Sequence, residues 1–166
     1  MGRLEDRALY EMACYFGKDT RRTNHAMKVY GRACAIASGT PLTEEERLTL
    51  GLAAILHDIG IRESERKYQS AAPIYQQSEG PPVAREILDR LECDPGITER
   101  VCFLIAHHHM YGAVDGTDFQ ILVEADFIVN TEEGEFDGAQ AGIFLTKYFR
   151  TDEGKRMMEE TMHAGA

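Results

Sequence analysis

Apolar residues recur at three- and four-residue intervals along most of the chain, and no stretch sustains a two-residue alternation. Leu4, Ala8, Leu9, Met12 and Phe16 share one side of a helix predicted over 4–16, which Gly17 stops. Asp19 suits the N-cap of a helix over 20–38 that carries Val29, Ala33 and Ile36, and Gly39-Thr40-Pro41 ends it. Thr43 and Glu46 have the spacing of a capping box, predicting a helix over 44–56 with Leu48, Leu52, Ile55 and Leu56 as its stripe. Residues 61–80 are polar and weakly periodic, and read as an irregular connection with a short helix around 71–77. Pro81-Pro82 suits a first helical turn, continued by Val83, Ile87, Leu88 and Leu91 to about Glu92. After the turn Asp94-Pro95-Gly96, Val101, Leu104 and Ile105 mark a helix over 97–108. Residues 111–116 read as a loop, 118–129 as a strongly apolar helix, 134–138 as a break, and 139–149 and 152–162 as two last helices. The expected fold class is all-α: a compact single-domain helical bundle over 1–166 with about seven or eight helices.

The apolar fraction of 43% is ordinary for a globular chain. No secretory leader, lipidation signal or apolar run near membrane-spanning length is read, so the expectation is a soluble cytoplasmic protein without a membrane partner. The formal charge of −10 argues against binding a nucleic-acid backbone through a basic surface. It does not argue against a small phosphorylated substrate, because one or two metal ions make a locally positive pocket inside an acidic protein. Cys14, Cys34, Cys93 and Cys102 form no C-x-x-C pair and sit in apolar stretches, which reads as four reduced core thiols. A homo-oligomer is compatible with this composition, which does not fix the oligomeric state.

Against that background one run stands out, Ala53-Ala54-Ile55-Leu56-His57-Asp58-Ile59-Gly60. An apolar helix delivers an imidazole and a carboxylate side by side at its end, both ordinary donors to a divalent metal. Asp126 lies inside Ile121-Leu122-Val123-Glu124-Ala125-Asp126-Phe127-Ile128-Val129, where a carboxylate is expensive unless it is paired or bound to a cation. His25 supplies a third location. Arg21, one turn before His25 on the same face, disfavours its protonation and can hold a phosphate beside the metal. Arg22 is assigned to a solvated basic face.

The order His25, His57-Asp58, Asp126 on an all-helical background resembles the HD-domain superfamily of metal-dependent phosphohydrolases, as a small stand-alone member. The resemblance rests on Asp19-Thr-Arg-Arg-Thr-Asn-His25, on Ala-Ala-Ile-Leu-His-Asp-Ile-Gly and on Val-Glu-Ala-Asp126, and it spans a motif-bearing core of 19–130, with the C-terminal helices of 139–163 beyond it. It implies that His25, His57, Asp58 and Asp126 hold one divalent ion. It also implies a second site in some members, with Asp58 as bridge, for which His107 and His108 of the triple histidine and Glu79 are the candidates and His109 faces outward. The Glu and Gly-Tyr-Pro elements of the cyclic-dinucleotide phosphodiesterases are absent after the histidines, as is the Glu-Asp pair of the guanosine-tetraphosphate hydrolases after His57-Asp58.

The activity this implies is hydrolysis of a small phosphorylated molecule, a phosphomonoester and foremost a nucleotide, by metal-activated water, with His57, Asp58 and Arg21 as the catalytic set. One or two divalent ions would serve, and the imidazole and carboxylate donors suit Mn, Fe, Co, Ni or Zn. Arg21, Arg62 and Lys67 are the candidate phosphate contacts. Glu63 and Asp115 are equal candidates for a general acid. The alternative is a non-catalytic metal or nucleotide sensor on the same scaffold.

Overall fold

The computed structural model describes residues 2–164, and among them every regular element is helical. In chain order the helices are α1 (Leu4–Phe16), α2 (Thr20–Ser38), α3 (Glu44–Leu56), α4 (Ile61–Tyr68), α5 (Pro73–Arg90), α6 (Pro95–His107), α7 (Thr117–Glu132), α8 (Gly138–Tyr148) and α9 (Asp152–Ala164), with a 3₁₀ turn at Tyr111–Ala113. The first three run between the bounds that periodicity predicts. Thr43 Oγ1 accepts from Glu46 N at 3.1 Å and Glu46 Oε2 from Thr43 N at 2.7 Å, completing the capping box. Asp19 occupies the N-cap of α2 but makes no side-chain cap bond.

Helix α3 lies at the centre, against α1, α2, α6 and α7, and every residue from Thr49 to Leu56 is buried. Helix α7 is buried from Ile121 to Val129 and packs on α2, α3 and α9. A helix apolar all round has no solvent face to keep, which is why these two form the axis of the bundle.

The stretch 61–80 is not irregular. It folds as α4 and the first two turns of α5. Helix α4 is almost wholly polar but docks through Ile61 and Ser64, and Ser64 Oγ donates to Gly60 O at 2.8 Å. Pro81 and Pro82 lie inside α5 rather than at its start. Proline removes helical N–H groups, so a neighbour must hold the helix through that point. Gly80 provides the close approach: it packs on Gly60 and on Ile105 of α6 so tightly that neither glycine has room for a Cβ. Of the four free cysteines, Cys93 and Cys102 are in the core while Cys14 and Cys34 are exposed, because the outer faces of α1 and α2 carry them.

Candidate metal centre and its cavity

Four helices deliver side chains to one point. His25 comes from the middle of α2, His57 and Asp58 from the turn that ends α3, His108 from the end of α6, and Asp126 from α7. His25 Nε2 lies 3.2 Å from Asp126 Oδ1, 3.3 Å from His57 Nε2 and 3.4 Å from Asp58 Oδ2. His57 Nε2 lies 3.3 Å from Asp126 Oδ1 and 3.4 Å from Asp58 Oδ2. Donors about 2.1 Å from a common metal ion stand about 3.0 Å apart at right angles and about 3.4 Å apart at the tetrahedral angle. The observed separations match the donor spacings that such an ion would require.

The tautomers agree. His57 Nδ1 lies 2.8 Å from Ala54 O, and His108 Nδ1 lies 2.8 Å from Ile105 O. A carbonyl can only accept, so both Nδ1 atoms carry a proton, and in the neutral ring each Nε2 turns a lone pair inward. His25 Nδ1 donates to Glu133 Oε1 at 2.6 Å, which fixes the same tautomer through the carboxylate of the α7 C-cap residue. Lone pairs and carboxylate oxygens then crowd together, and buried Asp126 Oδ1 and His108 Nε2 lack hydrogen-bond partners. Cations held by these donors would satisfy them, so the residues present fit a divalent metal.

The electrostatics point the same way. Burial disfavours the charged forms, but Asp58 and Asp126 hold the His57 imidazole well above its ordinary range, and Asp126 and Asp58 raise His25 too. Burial likewise works against the Asp126 carboxylate, yet His25 and His57 draw its pKa down, as His57 and His108 do for Asp58. Without a metal, protons on the imidazoles are the cations that balance two buried carboxylates.

A second donor group adjoins the first. Asp58 Oδ1 faces His108 Nε2 at 3.5 Å, and Asp58, His108 and His109 each bring one ligand atom within 4.8 Å of the others. Asp58 thus offers one oxygen to each group. Within the triple histidine the structure brings His108 and His109, rather than His107 and His108, to Asp58. His107 still belongs to α6: its Nδ1 donates to Phe103 O at 2.7 Å and its ring stacks on Phe103 with centroids 4.2 Å apart, away from the centre. Each further residue turns about 100° around the axis, so His108 faces α3 and His109 follows it inward. The His109 Nε2 is buried without a partner, and burial together with His108 pushes its pKa down to about 4.

Glu79 is not brought to either group. Its carboxylate accepts from Lys67 Nζ at 2.8 Å and from Tyr68 OH at 3.2 Å, which also commits Lys67. Arg62 turns to α1, where Nη1 donates to Tyr15 O at 2.6 Å and the guanidinium lies 4.9 Å above the Tyr15 ring. Glu63 pairs with Arg66, and Asp115 with Arg100, so neither borders the site.

A cavity of about 250 Å³ opens over the donors. His25, Asp58, Asp126 and His109 border it, with Arg22, Ile61 and Gln76 toward α4 and α5, and Asn130 and Glu133 toward the end of α7. Arg21 also borders it, but its side chain is 79% exposed and stands 3.6 Å from Glu135. Arg22 is the better placed cation, contrary to its assignment to a solvated face. Its side chain is 21% exposed, Nη2 donates to Glu65 Oε1 at 2.8 Å, and Nη1 is buried without a partner. Arg22 precedes His25 by three residues and Glu133 follows Asp126 by seven, so helical spacing carried a signal for both. Gln76 carried none, because the stretch around it shows no clear periodicity.

A model of the HD domain matches residues 22–126. The chain belongs to the HD domain family. The matched segment begins at the inward arginine and ends at Asp126, so it encloses every donor of the two groups. No curated protein and no solved structure matches the chain. HD domains are in general metal-dependent hydrolases, which makes a small molecule the expected substrate of this HD domain. No helix among the described residues is long and apolar enough to cross a membrane.

Proposed function

We propose that this HD domain hydrolyses a small phosphorylated molecule, a phosphomonoester, with nucleotides as the first class to test. The observation that carries the reading is the cluster of His25, His57, Asp58 and Asp126 donors 3.2–3.4 Å apart, opening onto a cavity bordered by Arg22, whose Nη1 is buried and unpaired. His25, His57, Asp58 and Asp126 would hold a divalent ion, whose chemistry would be to acidify water and polarise a phosphoryl oxygen. The chain supplies the remainder. Arg22 offers Nη1 to a phosphoryl oxygen, and its pairing with Glu65 holds the guanidinium in place. Arg21 stands at the rim as a second, looser cation. Glu133 holds His25 Nδ1 and so would keep Nε2 free to bind an ion. Ile61 gives the cavity one apolar wall residue. Asp58, His108 and His109 would hold a second ion, Asp58 offering one oxygen to each donor group.

The reading includes a cytoplasmic location, which four free thiols support. Metal content of tag-free protein and phosphate release from a panel of monoesters test it. His57→Ala and Asp58→Ala are expected to abolish both metal and turnover. Turnover by either variant without metal would refute the reading. Tight nucleotide binding with no phosphate release across the panel would replace it with the sensor.

A further inference from the structure

Gln76 is 7% exposed and borders the cavity from the first turn of α5. Its amide is oriented by its own chain: Nε2 donates to Ala71 O at 2.7 Å. That bond fixes which end is oxygen, and Oε1 is left buried with no hydrogen-bond partner. A buried carbonyl without a donor is costly, and native folds rarely keep one without a use. Asp126 Oδ1 and His109 Nε2 are also unpaired but belong to the donor groups; outside them, the other unpaired group bordering the cavity is a donor, Nη1 of Arg22. The two ask for opposite things. An arginine N–H takes a phosphoryl oxygen, whereas an amide oxygen takes an O–H or N–H.

We propose that Gln76 is a specificity residue whose Oε1 accepts a hydrogen bond from a hydroxyl or amine on the alcohol portion of the substrate. The inference rests on the hydrolase reading and narrows it. The preferred esters are those of small polyols, sugars or amine-bearing alcohols, including nucleosides, rather than plain alkyl or aryl alcohols. Asn130, on the opposite wall, adds a second amide to a cavity with few apolar surfaces.

The test uses two phosphonates, which carry a C–P bond and are not hydrolysed: propylphosphonate and 2,3-dihydroxypropylphosphonate. Calorimetry of the metal-loaded protein is expected to give about tenfold or tighter binding for the dihydroxylated compound, the size expected when a buried acceptor gains its donor. Gln76→Met keeps the volume and removes the acceptor, together with the Nε2 donor to Ala71 O. It is expected to erase that preference and to leave propylphosphonate affinity and metal content unchanged. Gln76→Leu repeats the test should the methionine variant fold poorly. Equal affinity of the wild type for both compounds would overturn the inference. So would an equal loss for both in the variants, which would make Gln76 a structural residue. Discrimination by the wild type that Gln76→Met erases, in a protein that hydrolyses no monoester, would uphold the subsite and refute the hydrolase reading.

Discussion

Gly60→Ala probes the packing that holds the His57-Asp58 turn. A Cβ on Gly60 would stand 2.5 Å from the amide nitrogen of Gly80, 2.7 Å from its Cα and 3.0 Å from the carbonyl carbon of Glu79. Ordinary contact begins near 3.4 Å, so α5 has to give way by about 0.9 Å. The atoms met are helix backbone and cannot rotate aside as the tip of a side chain can. Ile105 of α6 closes on the same glycine, since a Cβ on Gly80 would meet its Cγ2 at 2.7 Å. Overpacking of this kind costs about 1–3 kcal/mol. In a chain of this size each kcal/mol moves Tm by about 2–4 °C, which gives a fall of about 2–12 °C. Asp58 lies two residues from the clash and metal donors tolerate displacements of only about 0.2 Å, so metal affinity falls as well. Melting the metal-free variant by circular dichroism separates the first effect, and a metal titration gives the second. A metal-free Tm equal to that of the wild type would refute the argument.

Two predictions concern protons and the outer support of the site. Asp58 and Asp126 raise His57 and His25 above the ordinary imidazole range, so their stabilising charge is fully present below about pH 6.5 and is lost as pH rises through the elevated values. Metal-free protein is therefore expected to lose stability with rising pH. Metal affinity should rise over the same interval, with protons released on binding at pH 7 in calorimetry run in two buffers; no release would count against the assigned donors. Glu133→Gln should lower metal affinity about 10- to 100-fold in a chelator competition while leaving the metal-free Tm close to that of the wild type; unchanged affinity would remove Glu133 from the site.

The legible parts of the sequence were those where local rules and tertiary demands coincide. Helices α1 to α3 carry caps or stops and a clear apolar stripe, and the His57-Asp58 pair falls where such a helix ends. The stretch 61–80 misled because α4 has only Ile61 and Ser64 to bury and takes its remaining support from ion pairs such as Arg22–Glu65. Pro81-Pro82 pointed to a helix start because local chemistry favours one there. What carries α5 through them is the approach of Gly80 to Gly60 and Ile105, a contact between residues far apart in sequence. The assignment within the triple histidine turned on helical phase at a terminus, where one residue of error rotates a side chain by about 100°. Arg21 and Arg22 both lie one turn from His25; Glu65, on another helix, decides which is held beside the cavity.

Helix α7 shows how to tell a buried carboxylate that builds the fold from one that serves a ligand. Glu124 and Asp126 are two residues apart, so they point to nearly opposite sides of the helix. Glu124 is fully buried and is completed by its own chain: its oxygens accept from Arg150 N at 3.0 Å, Thr151 N at 3.1 Å, Thr151 Oγ1 and Gln120 Nε2. It ties α7 to the start of α9, where Gly154 leaves it room. Asp126 faces imidazoles that already donate elsewhere through Nδ1, and its Oδ1 has no hydrogen-bond partner. Glu124→Ala strands several buried donors and is expected to cost about 3–5 kcal/mol in denaturant unfolding, at unchanged metal content per folded chain. Asp126→Ala is expected to do the reverse, losing the metal shared with His25 and His57 while the metal-free fold persists. If Glu124→Ala instead removed metal without loss of stability, the division of labour between the two sides of α7 would be wrong.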